Sequence, residues 1–225
     1  MVLSESKPNT TATGAVPLPA PCLDGRCSVE KALADRRSVR EFEDEPMSLP
    51  VLSQLVWAAQ GVTRKMDKPD WWTGENWQGG MRTAPSAGAL YPLEVYVVAG
   101  NVEGLDPGVY KYKPLTHELV KVSAGDKRSR MVTRPPGQNW IAQAPCLIVF
   151  GVVYSREKVK YAERAVQYVH IEVGHAVENL CLQAVALDLG STVMGAFKDD
   201  LVKEVIGMPD EESPLAFVPV GKSKS

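Results

Sequence analysis

Residues 163–189 read ERAVQYVHIEVGHAVENLCLQAVALDL. Val166, Val169, Val173, Ala176, Leu180, Ala184 and Leu187 recur at three- and four-residue spacings, the period of one helix face. Val177, Cys181 and Val185 widen that face, and Gly190 provides a stop. At about 1.5 Å per residue the helix would span roughly 40 Å, more than one small domain needs. A helix apolar over so much of its girth is either central to the core or shared between subunits.

Working outward, residues 145–153 are a near-continuous apolar run, as a central strand buried on both faces requires. Further strand signals fall at 93–98, 109–112 and 118–122, the last two flanking Pro114 as a hairpin. A short strand at 192–194, a helix at 199–206 and a strand at 215–220 complete the C-terminal part. Towards the N-terminus, Ser28 can cap a short helix through Arg36. Ser48, with Pro50 just inside, opens a second helix that ends at Gly61. Val51, Leu52, Leu55, Val56 and Ala59 form its apolar stripe. Residues 62–92, with Trp71, Trp72 and Trp77, read as a long irregular segment, usually functional or disordered in a compact domain. Residues 1–27 are rich in Pro, Thr, Ser and Ala and read as a loose arm ahead of one domain at 28–225. Helices and strands mix without regular alternation, so the fold class is α+β rather than doubly wound.

Composition bounds the function. A net charge of -2 over 225 residues gives no electrostatic case for nucleic acid or an anionic membrane. No run approaches the roughly 18 apolar residues of a membrane span, and residues 1–20 do not read as a secretory signal, so a cytoplasmic protein is expected. Cys22, Cys27, Cys146 and Cys181 are too sparse for a disulfide scaffold and lack the paired spacing of a metal knuckle. Cys146 and Cys181 read as buried small hydrophobes. His170 and His175 are about 140° apart on their helix and do not converge. Neither a Gly-x-Ser-x-Gly elbow nor a dinucleotide fingerprint nor a P-loop occurs.

The chemistry gathers in four segments. Arg36-Arg37-Ser38-Val39-Arg40 puts three guanidiniums and a hydroxyl within five residues, able to grip a phosphate or the polar edge of a heterocycle. Read alone, it serves equally as a solvated basic helix end. Thr83-Ala84-Pro85-Ser86-Ala87-Gly88-Ala89-Leu90-Tyr91-Pro92 sets small residues between prolines, so a ligand can approach the backbone. An ordinary turn reads the same way. Met194-Gly195-Ala196-Phe197 offers backbone N–H groups near a helix start. Lys222, in the terminal Val220-Gly221-Lys222, can reach a phosphate or belong to a charged tail.

Taken together and in this order, the segments resemble the nitroreductase superfamily, from about residue 28 to the C-terminus. The similarity is closest to its azoline-oxidase-like branch, the SagB-type dehydrogenases of streptolysin biosynthesis. That branch is suggested by the run from Ala84 to Glu94, by Gly108-Val109-Tyr110-Lys111-Tyr112, and by Glu172-Val173-Gly174-His175-Ala176-Val177-Glu178-Asn179. The resemblance implies a three-layer α+β fold, a central mixed sheet flanked by helices, in an intertwined homodimer with two FMN sites at the interface. Arg36, Arg37, Ser38 and Arg40 of one subunit would hold the phosphate and the pyrimidine edge, and Pro85, Ser86, Ala87 and Gly88 would come from the other. Gly195 and Ala196 would lie by the flavin N5, Lys222 near the phosphate and Gln138 against the ring system, with Met194 also among the cofactor-binding residues. Three positions depart from the family pattern: Asp188 where Gly is usual, Glu178 where Gln is common, and Ala89 where simpler members often carry Asn.

The resemblance further implies a flavoprotein oxidoreductase. A reduced nicotinamide, NAD(P)H, would pass hydride to flavin N5, and a small electron-poor acceptor such as a nitroarene or quinone would then take it. Two alternatives stand beside this: dehydrogenation of an azoline ring in a modified peptide, and a flavin-binding module with little turnover. Lys160 and Tyr161 resemble the Lys-Tyr pair that assists proton removal in azoline oxidases. They also fit a charged helix entry in which Tyr161 packs its ring and wets its hydroxyl.

Overall fold

The structure, a computed structural model, describes residues 14–70, 72, 77–133 and 137–224. Its centre is a seven-stranded sheet in the order β1-β6-β5-β4-β7-β9-β8. These strands are β1 (Ala15–Pro17), β4 (Leu93–Ala99), β5 (Gly108–Lys113), β6 (Glu118–Ala124), β7 (Cys146–Val152), β8 (Gly190–Ser191) and β9 (Ser213–Gly221). Neighbouring strands pair antiparallel, and among the described residues parallel pairing is confined to the isolated bridges Ser38–Ser191 and Met47–Val102. β7 lies between β4 and β9 with every residue buried, the central strand expected at 145–153.

Side-chain alternation along β4, β7 and β9 builds a core on each face. Val95, Val97, Ile148, Phe150 and Val218 face α2 (Leu49–Gln60) and α4 (Ala165–Ala186). Tyr96, Val98, Leu147, Val149 and Phe217 face α5 (Asp199–Ile206) and the segment around Met131 and Ile141. The result is helix, sheet and helix in three layers.

Part of the expected loose arm is a sheet edge. β1 pairs with β6, Leu18 N–H donates to the His117 carbonyl, and the Ser53 hydroxyl donates to the Pro19 carbonyl. Val16 and Leu18 supply the reason, since both bury in the same core as α2. Ser28 caps α1 (Val29–Asp35) by accepting from Lys31 N–H. Ser48 precedes α2, which closes at Gly61, although its side chain makes no cap bond.

Three expectations change. Residues 62–92 are not uniformly irregular: β2 (Val62–Lys65) and β3 (Gly80–Arg82) form a small hairpin, and Ala87–Ala89 is a 3₁₀ turn. Trp72 and Trp77 pack edge to face at 5.3 Å within it, while Trp71 lies outside the described residues. The long helix is shorter at both ends than 163–189. It runs for 22 residues, and a separate helix, α3 (Tyr154–Tyr161), precedes it across Ala162 at φ 45°. Sequence periodicity is silent on α3 because its one buried side chain is Glu157. Strand pairing at 190–194 also shifts: β8 ends at Ser191, and Met194 contributes an isolated bridge to Phe217. Cys146 and Cys181 are buried, as expected, and Cys22 and Cys27 are unpaired. Among the described residues no helix is long and apolar enough to cross a membrane.

Candidate functional site

The sheet edge beyond β9 organises the first half of the site. Ser38 bridges Ser191, Val39 N–H donates to the Ser191 carbonyl, and the Thr192 hydroxyl donates to the Val39 carbonyl. Glu43 N–H in turn donates to the Lys222 carbonyl. These bonds extend 38–43 along the end of the sheet, so alternate side chains face opposite ways. Arg37 and Val39 line a cleft of about 630 Å³, and Ser38 and Arg40 take the other parity and are exposed. Arg26, Lys31 and Lys222 line the same cleft, with Asp35 and Asp188 as its acidic members. Four cations against two carboxylates leave a net charge of +2. Lys31 is already paired with Asp35 at 2.5 Å. Arg36 turns the other way, towards Glu178 on α4 at 3.6 Å.

Further along the same edge lie Met194, Gly195 and Ala196. A Cβ added to Gly195 would meet nothing within 4 Å, so its backbone faces open space. Gln138 Nε2 donates to the Ala196 carbonyl at 3.3 Å, while its Oε1 is buried with no hydrogen-bond partner. A cationic cleft, an open stretch of backbone and an orphaned amide oxygen thus lie along one sheet edge.

The second half is the Pro85–Gly88 loop. Ser86 Oγ accepts from Tyr91 N–H at 2.8 Å and closes it. Gly88, Ala89 and Tyr91 all sit at positive φ, 60°, 53° and 46°. Two non-glycine residues in that region within three positions mark a strained turn, the kind of geometry that clusters at functional sites. Lys160 and Tyr161, at the end of α3, come directly against it: a Cβ on Gly88 would be 2.9 Å from Tyr161 Oη and 3.1 Å from Lys160 Nζ. Lys160 is exposed and Tyr161 half-buried. Among the described residues no hydrogen bond or ion pair joins this loop to Arg36, Arg37, Arg40 or Lys222.

Two functional candidates were not legible at the sequence level. Glu157 and Glu172 are 1% and 2% exposed. Burial pushes the Glu157 carboxyl up to about 7, with Lys160 partly opposing. Burial likewise pushes Glu172 up to about 8, against a hydrogen-bonding interaction with Ser86 and aided by the Glu157 charge. Glu172 stands among Val169, Val173 and Ala176 on the buried face of α4, and a carboxyl on that stripe was the available signal.

The family model described as Nitroreductase family matches residues 33–222. The chain belongs to the nitroreductase family. It is 38% identical over 194 residues to the nitroreductase-like protein MJ1384 of Methanocaldococcus jannaschii, covering 86% of this chain and 90% of that one. A nitroreductase-like crystal structure from Ralstonia eutropha superposes with a TM-score of 0.78 at 28% identity, covering 100% of this chain and 97% of that one. The microcin B17-processing protein McbC of Escherichia coli is 27% identical over 132 residues, covering 56% of this chain and 48% of McbC. The likeness to McbC falls on the branch that residues 84–94 and 172–179 resemble. The departures from the nitroreductase pattern now have positions. Asp188, where Gly is usual, ends α4 at φ 56°, and its carbonyl accepts from Lys222 Nζ at 3.4 Å. Asp tolerates that backbone better than most residues do. Ala89, lacking the amide of Asn, holds φ 53° without the local hydrogen bond an Asn could make.

Proposed function

We propose that this chain is an FMN-dependent oxidoreductase that takes electrons from NAD(P)H and passes them to a small electron-poor acceptor. The carrying observation is the +2 cleft lined by Arg37 and Lys222, to which the open Gly195 backbone and the unpartnered Gln138 Oε1 add polar groups of their own. Those residues fit a planar heterocycle with a phosphate tail: cations for the phosphate, backbone N–H and an amide for the ring edge. When bound, FMN supplies reversible hydride acceptance at N5.

The protein's part is binding and exclusion. Arg37 and Lys222 hold the phosphate, while Ser38 and Arg40 reach the pyrimidine edge. Met194, Gly195 and Ala196 would offer open backbone to the ring edge. Pro85, Ser86, Ala87 and Gly88 of a second copy close over the site. The exposed Leu23, Val29 and Leu33 around α1 give a second copy apolar surface to cover. Light scattering of the purified protein tests the dimer: a monomer that retains flavin contradicts it. A coloured dimer that oxidises NAD(P)H with a nitroarene or quinone supports the enzyme, and a coloured but inert one supports a binding module.

A second reading is favoured by one contact, Lys160 and Tyr161 against Gly88, together with the likeness to a microcin-processing protein. In it the substrate is an azoline ring of a modified peptide. Lys160 and Tyr161 take up the proton that the ring releases on dehydrogenation.

A further inference from the structure

Apolar burial does little to hold α3. Its one buried side chain is Glu157, Tyr154 packs only partly against the core, and Val159 is 77% exposed. A helix of eight residues has little stability of its own. Polar ties fasten it instead. Just before its start, Val153 N–H donates to the Pro92 carbonyl at 2.9 Å. Arg156 then forks: Nη1 donates to the Tyr91 carbonyl at 3.1 Å, and Nη2 donates to Glu94 Oε1. At the far end the Tyr161 ring meets the Tyr168 ring of α4 edge to face at 4.9 Å.

Glu94 is held in its turn. Lys111 Nζ lies 3.1 Å from Glu94 Oε2 and donates to Glu212 Oε1 at 2.6 Å, and the Tyr96 hydroxyl donates to Glu212 Oε2 at 2.6 Å. Cations and carboxylates thus alternate in one row, Arg156, Glu94, Lys111 and Glu212, from α3 across β4 and β5 to the residue before β9. Burial would raise the Glu94 carboxyl, but Arg156 and Lys111 together hold it below the ordinary carboxylate range. The Arg156 and Glu94 side chains are 21% and 15% exposed. A forked guanidinium so largely shielded from water fixes geometry as a surface pair does not.

The carbonyl at the other prong of the fork belongs to a strained residue. Tyr91 sits at φ 46°. Its N–H donates to Ser86 Oγ at 2.8 Å, its carbonyl accepts from Arg156, and its ring carries the Arg82 guanidinium at 4.5 Å. A side chain at positive φ persists only where its surroundings over-determine it, and Arg156 is the tie that comes from α3. Arg156 and Lys160 are four residues apart and share one face of that helix. Arg156 meets the loop at Tyr91, and about 6 Å further along the axis Lys160 meets it at Gly88.

We propose that Arg156 is a positioning residue: backed by Glu94, its fork fixes the exit of the strained loop to α3 and so sets how Lys160 and Tyr161 meet Gly88. Lys111, Glu212 and Tyr96 anchor Glu94 and, among the described residues, make no hydrogen bond to the loop. Under the second reading, on which this assignment rests, Lys160 and Tyr161 take up the substrate proton, and Arg156 holds them where they do so.

The test places a fluorotyrosine at Tyr161 and follows it by fluorine NMR in the protein as purified, with circular dichroism confirming each fold. Arg156→Met should move the resonance towards its unfolded-chain position, because α3 and the loop come apart. Arg156→Lys keeps a charge beside Glu94 but loses the planar fork, and should move it the same way. Tyr96→Phe removes a bond at the far end of the same row; it should lower the melting temperature and leave the resonance in place. A merely structural row predicts that all three variants melt lower and none moves the resonance. A resonance unmoved in Arg156→Met, or in Arg156→Lys where Arg156→Met does not fold, overturns the assignment. So does one that Tyr96→Phe moves equally. Dehydrogenation of a thiazoline-containing peptide by the flavin-loaded protein is read separately. Arg156→Met should lower kcat up to about a hundredfold with KM little changed, as a misplaced proton acceptor does. No turnover by the native protein sinks the second reading, while the Tyr161 resonance still decides the role of Arg156.

Discussion

Gly88 and Tyr161 stand so close that the Cβ glycine lacks would lie 2.9 Å from the Tyr161 phenol oxygen. Seventy-three residues separate them in sequence, yet the strained loop before β4 and the end of α3 meet at this point. Gly88 also sits at φ 60°, where an L side chain costs about 1–2 kcal/mol. Gly88→Ala is therefore expected to lower the unfolding midpoint by a few degrees, at about 2–4 °C per kcal/mol for a chain of this size. It should also push Lys160 and Tyr161 off the loop. A thermal melt indistinguishable from the parent would contradict the close packing.

Arg40→Ala should weaken FMN binding about ten- to hundredfold, the loss of one charge-assisted hydrogen bond of about 1.5–3 kcal/mol. Arg37→Ala should do the same with a steeper salt dependence, because Arg37 shares its exposed cleft with Lys222. Fluorescence titration of apoprotein with FMN reads both. Unchanged affinity in a folded Arg40→Ala protein would show that residues 36–40 do not hold the cofactor.

Lys160→Ala distinguishes the two substrate classes. Reduction of a quinone or nitroarene with NAD(P)H should stay within about tenfold of the parent, since water can supply those protons and Lys160 removes none in the transition state. A thousandfold loss in that assay, with flavin still bound, would overturn this and put azoline dehydrogenation first. The contact with Gly88 and Tyr161 makes this the variant on which the two readings differ most.

Glu157 and Glu172 also leave a mark on stability. Folding raises both carboxyls from 4.5, to about 7 and about 8. Between those limits the folded chain binds more protons than the unfolded chain, so stability falls as pH rises from about 4.5 to about 8. Glu172→Gln removes one of the two groups and should flatten the decline, which thermal unfolding across that range measures. A Glu172→Gln curve parallel to the parent's would count against the buried protonated acid.

The sequence made the large elements legible because apolar periodicity reports burial. The all-apolar β7, the hairpin of β5 and β6 and the stripe of α4 were readable for that reason. The segments at 36–40 and 83–92 were legible as candidates because clustered guanidiniums suit an anion and small residues let a ligand approach the backbone; the roles proposed for them await the variants above. α3 was not readable, since a helix whose buried residue is a glutamate has no apolar stripe. β1 hid in a Pro- and Thr-rich stretch, where three residues of alternation are too few to detect. The small hairpin of β2 and β3 hid for a similar reason: Arg64 and Lys65 face solvent and its pairing is nearly polar. The burial of Glu157 depends on α3 packing against α4, which no single window of sequence contains.

The central claim is that this chain carries FMN. Purified protein, reconstituted with flavin where needed, is heated to release what it holds, and the supernatant is resolved by chromatography. FMN as the main species, at about one per chain, is the predicted result. The reason is one compact cationic cleft for a single phosphate, with no fingerprint for a dinucleotide. FAD as the main species, or no flavin retained after reconstitution, would contradict the account.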